Sequence, residues 1–147
     1  AGVEADLIVS QAVVQCIPAD ALVDVHRVLL RALKPGGVAL HQIDLGFPLS
    51  TPHWNFHRAY SDTLWNVVAF AREYTVTRLA LSDHVAAART AGFEVCHQLA
   101  EPGRDGLTRR QVARRFRQLS NEDFDAAGIF LVLRRPMGDA VHTPGAI

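Results

Sequence analysis

The sequence predicts an α/β fold, and three stretches carry that expectation. Leu7-Ile8-Val9 is a short continuous apolar run closed by Ser10, the pattern of a strand covered on both faces of a parallel sheet. An amphipathic stretch from Pro18 to Leu33 and a second apolar strand from Val38 to Leu45 follow it. Strand, helix and strand at this spacing make a βαβ unit, which closes right-handed with its strands parallel. Near the end, Ile129-Phe130-Leu131-Val132-Leu133 is the most continuously apolar run of the chain, so it is expected at the centre of the sheet.

Each element has its own signals. In the first helix Leu22, Val25, Leu29 and Leu33 recur at three- and four-residue spacing, with Asp20 and Asp24 early and Arg27, Arg31 and Lys34 late, as the helix dipole favours. Pro35-Gly36-Gly37 stops it, because Pro disfavours helical geometry at Lys34 and Gly accepts the left-handed cap. The segment from Gly46 to Arg58 contains Pro and His and reads as irregular. Ser61-Asp62 caps a second helix to about Tyr74, with Leu64, Trp65, Val68 and Ala71 on one face. Ser82-Asp83 opens an Ala-rich helix that Gly92 ends, and Phe93 to Cys96 alternates as a third strand. Thr108-x-x-Gln111 has capping-box spacing and predicts a helix with Val112 and Phe116 inward and five arginines elsewhere. Residues 137–147 read as a flexible tail.

Composition sets outer limits. At 147 residues with 49% hydrophobic content the chain can bury about two-thirds of its unfolded surface, so one domain needs no disulfide or metal staple. Fifteen basic and fifteen acidic side chains balance, which argues against a surface built for nucleic acid or anionic lipid. The apolar runs are far shorter than a membrane span of roughly 20 residues. Cys16 and Cys96 form no C-x-x-C pair and read as reduced core residues of a cytoplasmic protein.

The order of elements and several motifs resemble the carboxyl-terminal portion of class I S-adenosylmethionine (SAM)-dependent methyltransferases. Asp6 to Ser10 with Ile17-Pro18 looks like the family's fourth strand and the loop after it. Arg27-Val28-Leu29 and Leu33-Lys34-Pro35-Gly36-Gly37 look like the helix end and turn before the fifth. Ala91-Gly92-Phe93-Glu94-Val95 resembles the start of the sixth strand, and Ile129 to Pro136 the closing one. His41 to Leu45, Ser61-Asp62-x-x-Trp65 and Tyr74 to Arg78 resemble a bacterial subgroup associated with surface-polysaccharide gene clusters. The resemblance implies a partial Rossmann-like methyltransferase fold over residues 1–136: the last four strands, parallel with one antiparallel, plus flanking helices. The family's Gly-rich turn and its ribose-binding acidic residue have no counterpart here, and the chain starts with Ala1 close to a strand at Asp6. A fragment is therefore expected, inactive alone, with the edge of its first strand open to association.

The resemblance also implies a site. Ligands of open α/β sheets sit beyond the carboxyl ends of the strands. Ser10, Gln11 and Ala12 fall there, where the family flanks SAM, often through backbone groups; the alternative is a loop that satisfies a helix start. His41 and Asp44 fall at the equivalent end of the second strand, where either can accept the acceptor's proton. Alternatively, Asp44 caps a turn and His41 is a hydrogen-bonded, semi-buried residue. Trp54, His57 and Tyr60 are candidates for covering a small-molecule, sugar-type substrate. His53-x-x-x-His57 puts two imidazoles on one face if helical, but residue 54 is Trp rather than the Glu of a zinc-protease motif, so no metal is assigned. The arginines from 109 to 117 suit a phosphorylated or nucleotide-linked substrate or nucleic acid, but are read instead as a solvated helix face, because no aromatics interleave the run. A non-catalytic interaction module is the competing class, and a metal-dependent enzyme the third.

Overall fold

Four strands, β1 (Ala5–Gln11), β2 (Leu33–Asp44), β3 (Glu94–Pro102) and β4 (Ala126–Arg134), form one sheet in the order β1-β2-β4-β3. They belong to a computed structural model that describes residues 4–46, 51–70 and 76–138. β1 runs parallel to β2, and β4 runs antiparallel to both of its neighbours. The apolar run from Ile129 to Leu133 is thus central, as its composition requires, with Ile129, Leu131 and Leu133 fully buried.

Helix α1 (Leu22–Ala32) joins the two parallel strands, and α3 (Leu81–Ala91) precedes β3. Both cover one sheet face, where Leu22, Leu81, Val85 and Ala88 meet Ala39, Ile43, Ile129 and Leu131. Truncating one of these leucines or isoleucines to Ala costs about 2–5 kcal/mol where the cavity cannot collapse. Gly92 ends α3 at φ 104°, a left-handed conformation that Gly takes without Cβ strain. Asp83 accepts a hydrogen bond from the Ala80 N–H at 2.8 Å, satisfying an amide that opens the helix. The inward stripe of α1 differs by one residue from expectation, because buried His26 takes the place assigned to Val25.

Lys34-Pro35-Gly36-Gly37 is not a turn outside the strand. The first residues of β2 bulge away from β1 there, so that Ala5 pairs with Leu33 and Leu7 already with Val38. Gly36 still supplies the expected positive φ, 79°. At Gly37 a Cβ would lie 2.9 Å from the Lys34 carbonyl oxygen and 3.2 Å from that of Ala5, which only Gly avoids.

Among the described residues the other sheet face is largely open. Leu7 and Val9 are 54% and 64% exposed, and Leu99 on β3 is 51% exposed. Strand alternation and register put Val38, Leu40, Phe130 and Val132 on the same side. The expectation that β1 is covered on both faces is therefore corrected. Cys16 and Cys96 are exposed, not core residues, and both are free thiols.

A smaller layer is built from residues 51–67 and 104–125. Phe116, Val112, Leu107 and Phe124 bury themselves with Phe56 and Ala59. Asn55 locks the two segments together, accepting from the Leu107 N–H at 2.6 Å and donating to its carbonyl at 3.2 Å. Helix α2 (Asp62–Phe70) starts at the expected cap, and Trp65 is buried as expected while Leu64 is half exposed. The Val68 and Ala71 expectations fall outside the described side chains. The Thr108–Gln111 capping contact forms, yet a turn and a short 3-10 stretch (Arg114–Gln118) replace the expected helix. Arginine side chains explain this. Arg109 binds the carbonyls of Arg117, Leu119 and Ser120, while Arg117 binds those of Val112 and Arg110, so acceptors that a helix would use internally go elsewhere. A short α4 (Asn121–Asp125), capped by Ser120, leads into β4. The tail expectation lies outside the described residues from 139 onward.

Candidate functional site

The carboxyl ends of the parallel strands open into a pocket of about 390 Å³, lined by Gln11, Ala12, Gln42, Asp44, Glu101 and Gly128. Register explains the grouping. Asp44 on β2 and Glu101 on β3 are both partners of Gly128 on the intervening β4, so their side chains project to the same face across a residue without one. A Cβ on Gly128 would lie 2.8 Å from Glu101 Oε2. Gly128 thus provides the gap between two carboxylates.

Asp44 has two duties. Its Oδ1 accepts from the Gly46 N–H at 2.8 Å, which fixes the turn leaving β2, and the exposed residue faces the pocket. Ala12 sits at φ 52°, unusual for a residue with a Cβ, and its N–H donates to the Gln42 carbonyl at 2.9 Å. That bond continues the β1–β2 ladder one step beyond the strand and turns the chain at the pocket rim.

Ser10 and His41 are displaced from the role expected of them. Both project from the covered face of the sheet, where the Ser10 hydroxyl lies 2.7 Å from His41 Nδ1. His41 is fully buried and stacks edge-on against His26, their ring centroids 5.6 Å apart. Burial, and then the nearby His26, push its pKa down to about 4. A one-residue difference in strand parity separates the core from the cleft. His41 therefore stands apart from the pocket that Asp44 lines.

The proposed substrate cover is divided in the same way. The Trp54 indole packs on Gly103 and Gly106, next to the pocket-lining Pro102, and a Cβ on Gly103 would lie 2.1 Å from its Nε1. His57 is buried, and Tyr60 packs between Phe56 and Trp65, so none of the three lines the pocket, and only Trp54 lies beside one of its lining residues. His53 donates to the Asp105 carbonyl at 2.6 Å and does not form a pair with His57. Among the described residues no group of three His, Cys, Asp or Glu side chains is arranged to hold a metal, and no helix is long and apolar enough to cross a membrane.

Sequence reasoning missed Glu101, because it ended the third strand at Cys96 and the strand runs to Pro102. It also missed Arg58 and Arg78, both buried, whose aromatic partners come from separate segments.

No protein-family description matches the sequence, and no curated protein matches it significantly. Solved structures do. A SAM-dependent methyltransferase from Methanosarcina mazei is similar at TM-score 0.61 and 10% identity over 92% of this chain and 61% of that one. A second, from Mesorhizobium loti, is similar at TM-score 0.56 and 16% identity over 92% of this chain and 63% of that one. A putative sarcosine dimethylglycine methyltransferase from Galdieria sulphuraria gives TM-score 0.53 at 12% identity over 91% and 54%. The four-stranded sheet and its helices thus match part of the Rossmann-like fold of these methyltransferases. The chain spans about three-fifths of the length of the first two of these neighbours.

Proposed function

We propose that this chain is part of a SAM-dependent enzyme that transfers a methyl group to a small-molecule or sugar-type acceptor, and that the pocket at Asp44 is where the reacting groups meet. The observation that supports it most is the pocket itself, placed at the carboxyl ends of the parallel strands with Gln11, Ala12 and Asp44 on its wall. Its donor set suits SAM. Carboxylates at Asp44 and Glu101 complement a cationic ligand, and the Gln11 and Gln42 amides offer both donors and acceptors. SAM supplies an electrophilic methyl carbon when bound.

The chain's own residues perform the remaining tasks. Asp44, held by Gly46, orients an acceptor hydroxyl and takes up its proton. Glu101, across the Gly128 gap, receives a second polar group of either ligand. Trp54, seated on Gly103 and Gly106, shields the pocket edge from water. The reading is tested by the full-length protein's transfer of radiolabelled methyl groups from SAM to a panel of saccharides and small hydroxy compounds. Transfer that falls with Asp44→Asn supports it, and absence of both transfer and SAM binding overturns it.

A second reading is an interaction module, favoured by the exposed Leu7 and Val9 on the edge strand of the sheet. In that reading the edge of β1 pairs with a partner.

A further inference from the structure

Three guanidinium groups surround the ring of Phe116. Arg115 lies 4.4 Å from its centroid, Arg78 5.3 Å and Arg58 5.8 Å. Arg58 and Arg78 are nearly inaccessible to water. Arg58 is held by the Phe124 carbonyl at 2.9 Å and lies over Trp54, with the acidic groups of Asp123 and Asp125 nearby. Arg78 has another environment. It donates to the Tyr60 carbonyl at 2.6 Å and pairs with Asp62, which Arg115 also contacts at 3.0 Å. Arg115 in turn donates to the Arg78 carbonyl at 3.0 Å.

One carboxylate therefore serves two guanidiniums, and a third cation, Arg114, stands beside them. Among the described residues only Asp62 is ion-paired with Arg78 or Arg115. The local excess of cation shows in the neighbouring groups. Burial first, and then Arg115, bring Arg78 down to about 10, and burial, then Arg58, Arg78 and Arg115 bring His57 down to about 3. Two surface depressions of about 490 and 370 Å³ share Asp62 and Arg115 as a common wall. The larger adds Arg114, Ser61 and Gln118, and the smaller has buried Arg78 in its wall with Thr77 and Asn66.

We propose that this paired depression is a binding site for the phosphate dianion of a phosphorylated ligand, held by Arg114 and Arg115 with Arg78 behind them. The charge left after Asp62 matches a dianion, and the planar guanidiniums offer paired donors to its oxygens. Ser61, at the start of α2, contributes a hydroxyl and the end of a helix that favours negative charge. Asp62 is the internal competitor for the same arginines, so the site is held together when empty and gives way to a stronger acceptor. The inference is independent of methyl transfer.

The test is calorimetric titration of the full chain with inorganic phosphate, and in parallel with methyl phosphate, at constant ionic strength. Saturable binding of either dianion is expected. Arg114→Gln and Arg115→Gln should each weaken it at least ~10-fold, and Asp62→Asn should tighten it. Arg114 is exposed and its replacement leaves the packing around Phe116 in place, so loss of binding in that variant reports the site and not unfolding. Non-saturable heats with both phosphates, or Arg114→Gln and Arg115→Gln variants that bind as well as the wild type, would overturn the assignment.

Discussion

The Ser10 hydroxyl lies 2.7 Å from His41 Nδ1, a contact made across the β1–β2 pair on the covered face of the sheet. It ties the edge strand to a cluster of buried imidazoles. His26 and His84 share that interior, and among the described residues neither ring nitrogen of either one has a hydrogen-bond partner. All three are therefore held neutral. Burial lowers each pKa from 6.5 to about 4; His26 adds to the shift at His41, and both of these add to it at His84.

The pH dependence of folding follows. The unfolded chain takes up protons at these histidines from about pH 6.5 downward, and the folded chain only near pH 4. Their contribution is complete above pH 6.5 and is lost as pH falls toward 4, by up to about 3 kcal/mol for each histidine. Urea unfolding at pH 7.5 and pH 5 should show a sharply lower midpoint at pH 5. His26→Leu removes two unpaired nitrogens, so it should narrow the gap between the two midpoints. An equal gap in the variant would exclude His26 as a source of the acid lability.

Asp44→Asn separates chemistry from architecture. The amide oxygen of Asn can still accept from the Gly46 N–H, so the turn after β2 persists and stability should change by less than about 1 kcal/mol. Loss of a general base typically costs 10²–10⁴-fold, so kcat/KM for methyl transfer should fall by about 100-fold or more. Turnover at the wild-type rate would remove Asp44 from the proton-transfer role.

Much of the sheet was legible because its signals are local. The runs at Leu7 and Ile129 carry their own strand pattern, and Gly92 marks a helix end by itself. Facing was not legible to the same degree. Ser10 and Gln11 are neighbours in sequence yet lie on opposite sides of β1, and only the register of the pairing shows which one reaches the pocket. Arg58 and Arg78 were hidden for a different reason. Their burial depends on Trp54, Trp65 and Phe116 converging from three segments, and no spacing within one segment encodes that.

Gly103→Ala tests whether Trp54 is fixed in place. The added Cβ would lie 2.1 and 2.2 Å from the indole Nε1 and Cε2, so the ring must leave its seat. A loss of about 1–3 kcal/mol is expected in chemical denaturation, together with a shift in tryptophan fluorescence. Gly128→Ala is the contrasting variant, since its Cβ meets the movable end of Glu101 at 2.8 Å. It should unfold near the wild-type midpoint while narrowing the pocket. Equal destabilisation by both would mean that Trp54 is not specifically held.

Val9→Lys addresses the open face. Val9 is 64% exposed on the edge strand, beside Leu40 of β2, within the apolar patch that includes Leu7, Val38 and Val132. A charge there leaves the covered face untouched, because Ile8 and Ser10 project the other way. The folded chain should keep its unfolding midpoint to within about 0.5 kcal/mol, as surface substitutions do. Association through this strand should weaken, since a lysine on an edge strand opposes pairing with another chain. Sedimentation velocity over a range of concentrations reads the difference directly. Wild-type chains should shift toward larger species as concentration rises and Val9→Lys chains should not; a wild type that stays monomeric throughout would exclude self-pairing of β1.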